Sequence, residues 1–212
     1  MSISKVLAAA LFSVGLSASQ AHAVTTTFDF LFDGPDTSDT LTFSGGGIDL
    51  TVRGFTTPVS TGVAAATAIE QRAVGLGVVS SPDGDRVGTS GNGGANEVNE
   101  SLEFSFNPSV TFISGFVVET AGGNENFDVL DSSGSVLESF TVSGDPGSTV
   151  QAFALTTPAL GDTFTIKHEG GSGIFVRSIT VEAIPGPLGI VGLVSAFALA
   201  AGVAARRRAA AA

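Results

Sequence analysis

Six oxygen-bearing side chains crowd one glycine-rich stretch of this sequence. Asp83, Asp85, Asn92, Asn96, Glu97 and Asn99 all fall within SSPDGDRVGTSGNGGANEVN. A hard cation such as Ca²⁺ takes six to eight oxygens from carboxylates, amides and backbone carbonyls in loops of this kind. Asp83, Asp85, Asn92, Asn96 and Glu97 are therefore the candidate metal ligands, and Ca²⁺ the candidate cofactor. The spacing matches neither an EF-hand nor the nonapeptide calcium repeat. The same composition also suits turns, because Asp and Asn bond their own backbone and Gly supplies positive φ. Both readings of the loop stand at this point. A second group of acids, Glu125, Asp128 and Asp131, falls on or beside a strand and is expected to be solvated.

Other chemistry finds little footing. The chain has no cysteine, so thiolate metal sites, cysteine nucleophiles and disulfides are excluded. His168 is the only histidine beyond the first 23 residues. Between Lys167 and Glu169 on a strand, it reads as a surface residue. No G-x-S-x-G elbow is present. A carboxylate pair of glycosidase type is compatible with the many acids. Sugar clefts, however, usually include Trp or Tyr, and this chain has neither. The expectation is a protein that is not an enzyme.

The elements that must position these residues are strands. TTTFDFLF places Phe28, Phe30 and Phe32 on one face, and GIDLTVRGFTT does the same for Ile48, Leu50 and Val52. SLEFSF alternates Leu102, Phe104 and Phe106. TLTFS, VTFISGFVVE, NFDVLD, SVLESFTV, TVQAFALTT, DTFTIKH and GIFVRSITVEAI continue the pattern, punctuated by Gly, Asp, Asn and Ser about every ten residues. Regular short strands of this kind predict an all-β, β-sandwich or jelly-roll-like domain over residues 24–184. Phe supplies all the aromatic content of the chain, and the Phe residues of this domain, all of the 16 but Phe12 and Phe197, are expected to fill the space between two sheets. ATAIEQRA reads equally as a short helix or a strand. Gly45, Gly46 and Gly47 precede a strand rather than a helix, which makes them a hairpin loop or bulge and no phosphate cradle.

Both ends carry addresses. Lys5, the apolar run VLAAALFSVGL and the small-x-small site Ala21–Ala23 make residues 1–23 a secretory signal peptide, cut after Ala23 by signal peptidase. Leu188–Ala205 is free of charge and covers roughly 27 Å as a helix, close to the hydrocarbon thickness of a bilayer. Arg206, Arg207 and Arg208 follow at once and are expected to stay cytoplasmic, leaving the domain outside the inner membrane. Residues 209–212 are an alanine tail.

All the acids lie between Asp29 and Glu182, opposed there only by Arg53, Arg72, Arg86, Lys167 and Arg177. The exported part is thus more acidic than the whole-chain net charge of −11. Such a field repels phosphate backbones, so nucleic acid is not an expected partner.

A short Pro motif, one span and a terminal Arg cluster together resemble the PEP-CTERM sorting signal of exported bacterial proteins. Pro185, Gly186 and Pro187 stand where that family has Pro-Glu-Pro. The strand Gly75–Val78, the Gly/Asp loop ending at Glu97, the strand Leu102–Phe106 and the closing VRSITVEAIPGP are similar to the same family. The resemblance implies recognition by an exosortase, cleavage near Pro185–Pro187, and release or transfer to the cell surface or extracellular matrix. With the readings of the loop and of the absent catalytic groups, the expectation is a non-enzymatic cell-surface or extracellular-matrix protein, with calcium as candidate stabiliser and extracellular polysaccharide as candidate partner. The alternatives are a polysaccharide-binding sandwich module and an uncleaved type I membrane protein.

Overall fold

The computed structural model describes residues 23–32, 36–58, 62–79, 87, 89–90, 98–119, 123–144, 149–170 and 173–184. Among them are thirteen strands and no helix. The first seven are β1 (Thr25–Asp29), β2 (Asp36–Ser38), β3 (Leu41–Gly45), β4 (Ile48–Pro58), β5 (Ala65–Thr67), β6 (Ile69–Arg72) and β7 (Gly75–Val78). The remainder are β8 (Thr89–Ser90), β9 (Val98–Glu119), β10 (Gly123–Asp131), β11 (Val136–Gly144), β12 (Val150–Gly170) and β13 (Ile174–Ala183). All pair antiparallel in one sheet, along the path β11-β10-β12-β9-β13-β7-β6-β2, with β1 on β13, β3 and β5 on β4, and β4 and β8 on β9. ATAIEQRA is strand, shared by β5 and β6. The strands belong to one compact unit, Val24–Ile184.

Two long strands make the sheet fold onto itself. The first part of β9 pairs with β4 down to Asn107, and the second part pairs with β13 from Val110 onward. Pro108 stands in the gap, where its missing N–H cannot continue a ladder. β12 breaks register in the same way, between Ala154 and Ala159 and again between Gly161 and Thr163, with Pro158 inside the first gap. SLEFSF and VTFISGFVVE are therefore one strand, and so are TVQAFALTT and DTFTIKH. Strands that pass from one layer to the other at bends turn a continuous sheet into a sandwich-like body.

Phenylalanines fill the space between the layers. Phe112 in the second half of β9 meets Phe164 in the second half of β12 at 5.2 Å between ring centroids. Phe30, just after β1, stacks on Phe104 at 5.9 Å, and Phe153 meets both Phe127 and Phe140 at 5.2 and 5.3 Å. Ile48, Leu50, Val52, Leu102, Phe104 and Phe106 are buried as the alternation requires. Phe32 is not: β1 ends at Asp29, so the alternation lapses and Phe32 is 46% exposed. Neighbouring strands leave no room at Gly115, where a Cβ would lie 2.7 Å from the ring of Phe153, its ladder partner on β12, and 2.5 Å from the Ser178 carbonyl oxygen on β13.

The glycine triplet makes the expected hairpin. Gly46 and Gly47 form a two-residue turn between β3 and β4 with φ of 58° and 78°, the double positive φ of a type I′ turn. Along β11, side chains close an edge that no strand among the described residues covers. The Thr156 N–H donates to Glu138 Oε2 at 2.6 Å, its hydroxyl donates to Oε1 at 2.9 Å, and the Gln151 amide brackets the Ser143 backbone. These bonds tie β11 to the first part of β12 and occupy backbone groups that would otherwise invite another strand.

Candidate functional site

The ladder registers gather one set of strand ends. Glu119 lies opposite Ile174, Lys167 opposite Ser101, Asn126 opposite Gly170, and Gly123 opposite Gly144. Because β9 bends between Asn107 and Val110, its two ends, at Val98 and Glu119, return to the same rim. The connections from β7 to β9, β9 to β10, β11 to β12 and β12 to β13 all leave from here. Val87 bridges to Ile174, while Thr89 and Ser90 pair with Asn99 and Val98. The described part of the 80–97 segment therefore links the two layers across this rim. Sandwich proteins commonly carry function on loops clustered at one end.

Beneath the rim the interior changes character. Glu119 and His168 are 0% exposed, Glu125 is 1% and Glu100 is 3%. Each is inward by simple strand parity. Glu119 follows Val117, Glu125 precedes Phe127 and Val129, His168 follows Phe164 and Ile166, and Glu100 precedes Leu102 and Phe104. Two expectations are thereby corrected. His168 is a core residue, and Glu125 is not solvated. The flanking Lys167 and Glu169 suggested a surface strand, but they occupy the opposite face and pair with each other at 2.5 Å. The signal that finds His168 and Glu125 is the apolar alternation, carried two residues past its last hydrophobic member.

The second acid group does not assemble. Glu125 points inward, Asp128 is on the other face of β10, and Asp131 ends that strand and anchors the turn that follows. Asp131 Oδ1 accepts from the Ser133 hydroxyl at 2.6 Å and from the Ser133 and Ser135 N–H groups at 2.9 and 3.0 Å. The Ser133 hydroxyl first, and then these backbone N–H groups, hold its carboxyl below the usual aspartate value. That is turn chemistry.

Inside the rim, the Gly173 N–H donates to Glu125 Oε2 at 2.7 Å, and His168 Nε2 lies 3.5 Å from the same oxygen. Both carboxylate oxygens of Glu119 are buried with no hydrogen-bond partner. No Lys or Arg is among the buried residues described. Among the described residues, no three His, Asp or Glu side chains stand close enough to hold a metal ion unaided. Asp83, Asp85, Asn92, Asn96 and Glu97 lie outside the described residues. So do Ala21, Pro185, Gly186, Pro187, Arg206, Arg207, Arg208 and the apolar run between the last two groups; Ala23 is the first residue described. No helix among the described residues is long and apolar enough to cross a membrane.

His168 gives this end a pH dependence. Burial pushes its imidazole below the usual 6.5, against the opposing pull of Glu125 and Glu169. Glu100, next to Ser101 on β9, and Lys167 are the other charged groups near it. A histidine with a depressed folded value binds its proton more readily when unfolded. Its contribution to stability is complete above pH 6.5 and is lost as pH falls toward the folded value. In metal-free buffer, urea midpoints should drop between pH 7 and pH 5, and His168→Gln should flatten that drop. An equal drop in the variant assigns it to the carboxylates.

No protein-family model matches the chain, and no curated protein is similar to it. The arrangement of buried acids under a loop-bearing rim must speak for itself.

Proposed function

We propose that this is an exported, non-enzymatic cell-surface or extracellular-matrix protein. A β-sandwich of jelly-roll type forms its working domain, and a PEP-CTERM-like tail at 185–208 sorts it. The observation that carries this reading is where the fold begins and ends. β1 starts at Thr25, two residues after the small-x-small site, and β13 stops at Ala183, two residues before Pro185. The two strands pair with each other, Thr25 opposite Glu182, and the Ala183 N–H donates to the Val24 carbonyl at 2.9 Å. Cuts at either address would leave every described strand intact. The domain is acidic, and the loop with the oxygen-rich composition joins strands at the rim where acids are buried. This favours calcium as the stabilising ion.

The test is the intact mass of the protein recovered from its host, from membrane and medium separately. A C-terminus at Pro185–Pro187 in the medium, or an adduct there, is expected from exosortase-type processing. A chain ending at Ala212 and found only in membranes would replace the sorting reading with a plain type I anchor.

A further inference from the structure

We propose that the buried rim holds a hard divalent cation of the Ca²⁺ class, with Glu119 and Glu125 as its charged ligands. This rests on the calcium part of the functional reading but not on its export part, and it moves the charged ligands from the loop into the core.

The first observation is Glu119. Its side chain is wholly buried and neither oxygen has a partner. An ionised carboxylate in a protein interior costs several kcal/mol unless it is paired. Unsatisfied buried polar groups are few in native folds, and a missing ion is one of their ordinary explanations.

The second observation is where Glu119 sits. It lies opposite Ile174 in the β9–β13 ladder, and the N–H of the preceding Gly173 is bonded to Glu125. Two carboxylates from facing layers therefore flank one dipeptide. Glu119 shares its inward face with Gly115 and Val117, and Glu125 shares its own with Phe127 and Val129. Both acids are aimed into the same end of the core.

The third is charge balance. Glu119 and Glu125 bury two carboxyl groups with no Lys or Arg among the buried residues described. A divalent cation carries the charge to match both. The two glutamates do not complete its shell: His168 Nε2 stands 3.5 Å from Glu125 Oε2, but no group of three His, Asp or Glu among the described residues could hold the ion by itself. Backbone carbonyls and water, which Ca²⁺ accepts readily, make up the remaining oxygens. Oxygen donors and a preference for irregular, flexible coordination favour Ca²⁺ over Mg²⁺ or Zn²⁺.

The experiment is calorimetric titration of CaCl₂ into the full chain, purified in detergent and stripped with chelator, with melting followed in parallel by circular dichroism. Wild type should bind one Ca²⁺ and melt several degrees higher at about 1 mM CaCl₂. Glu119→Gln should weaken binding at least about tenfold and lose the melting shift, while melting no lower than wild type without metal. Glu125→Gln should also lose binding and serves if the first variant does not fold. A triple Asp83→Ala/Asp85→Ala/Glu97→Ala variant separates core from loop. If it abolishes binding while both glutamine variants bind normally, the loop is the site and this inference is overturned. If it binds normally while the glutamine variants do not, the inference holds and the loop assignment fails. No heat and no melting shift in wild type up to about 10 mM CaCl₂ overturns both, and leaves the export reading to the mass measurement.

Discussion

Replacing Phe112 by alanine is expected to lower the unfolding free energy by about 3–5 kcal/mol. Phe112 is wholly buried and stands just past the bend of β9. Its ring contacts Phe164 at 5.2 Å and Phe153 at 6.4 Å, both on β12 but on either side of that strand's own bend. One side chain thus joins both layers at the place where both long strands change layer. Truncation removes the transfer free energy of a benzyl group and leaves a cavity. The walls cannot close in easily, because Gly161 already lies 3.0 Å, in terms of an added Cβ, from the Phe164 ring. For a chain of this size the melting temperature should fall by roughly 6–20 °C. Phe116→Ala is the control: Phe116 is on the same strand but substantially exposed, and its loss should cost under about 1 kcal/mol. Equal effects from the two variants, measured by urea unfolding, would mean that the bend is not held by this ring cluster.

That cluster also shows what the sequence discloses and what it withholds. Alternation placed Leu102, Phe104 and Phe106 in the core, because a strand with one buried face writes its burial into a period of two. Alternation did not disclose that SLEFSF and VTFISGFVVE are one strand. Asn107 and Pro108 look like a turn, and locally they do break the ladder, but the strand continues past the bend with new partners. Which partners a strand finds after a Pro depends on the other layer, and no local window contains that information. ATAIEQRA was ambiguous for a related reason. Its pattern suits either element, and pairing of β6 with β7 and β2 decides it.

The rim acids were legible in part. His168, Glu125, Glu119 and Glu100 each extend an apolar alternation by one step, so parity alone puts them inside. Residue type argued the other way, because a charged residue at a strand end normally marks the exit to solvent. Burial here is a tertiary fact. The bend in β9 returns both of its ends to one rim, and Val87, Thr89 and Ser90 span that rim. The oxygen-rich loop joins strands at this same rim, and strand parity alone would have supplied the acids beneath it.

Glu125 and Glu119 should respond to substitution in opposite ways, although both are buried glutamates at the same rim. In metal-free buffer, Glu125→Ala is expected to cost about 3 kcal/mol. It leaves the Gly173 N–H without its 2.7 Å acceptor, removes the carboxylate beside His168, and opens a small cavity between β10 and β12. Glu125→Gln retains an acceptor oxygen at nearly the same position and should recover most of that loss. Glu119→Gln removes no bond, because neither Glu119 oxygen has a partner to lose, and it replaces a group that can carry charge with one that cannot. Its stability should equal or exceed that of wild type. Urea unfolding of the three variants with chelator present measures the contrast. If Glu119→Gln fell as far as Glu125→Ala without metal, its carboxylate would have to be bonded within the protein, and the argument for a cation beside it would lose its first support. If the contrast appears and calcium then reverses it, stabilising wild type above the Glu119→Gln variant, a single residue would account for both the unpaired charge in the fold and the ion that answers it.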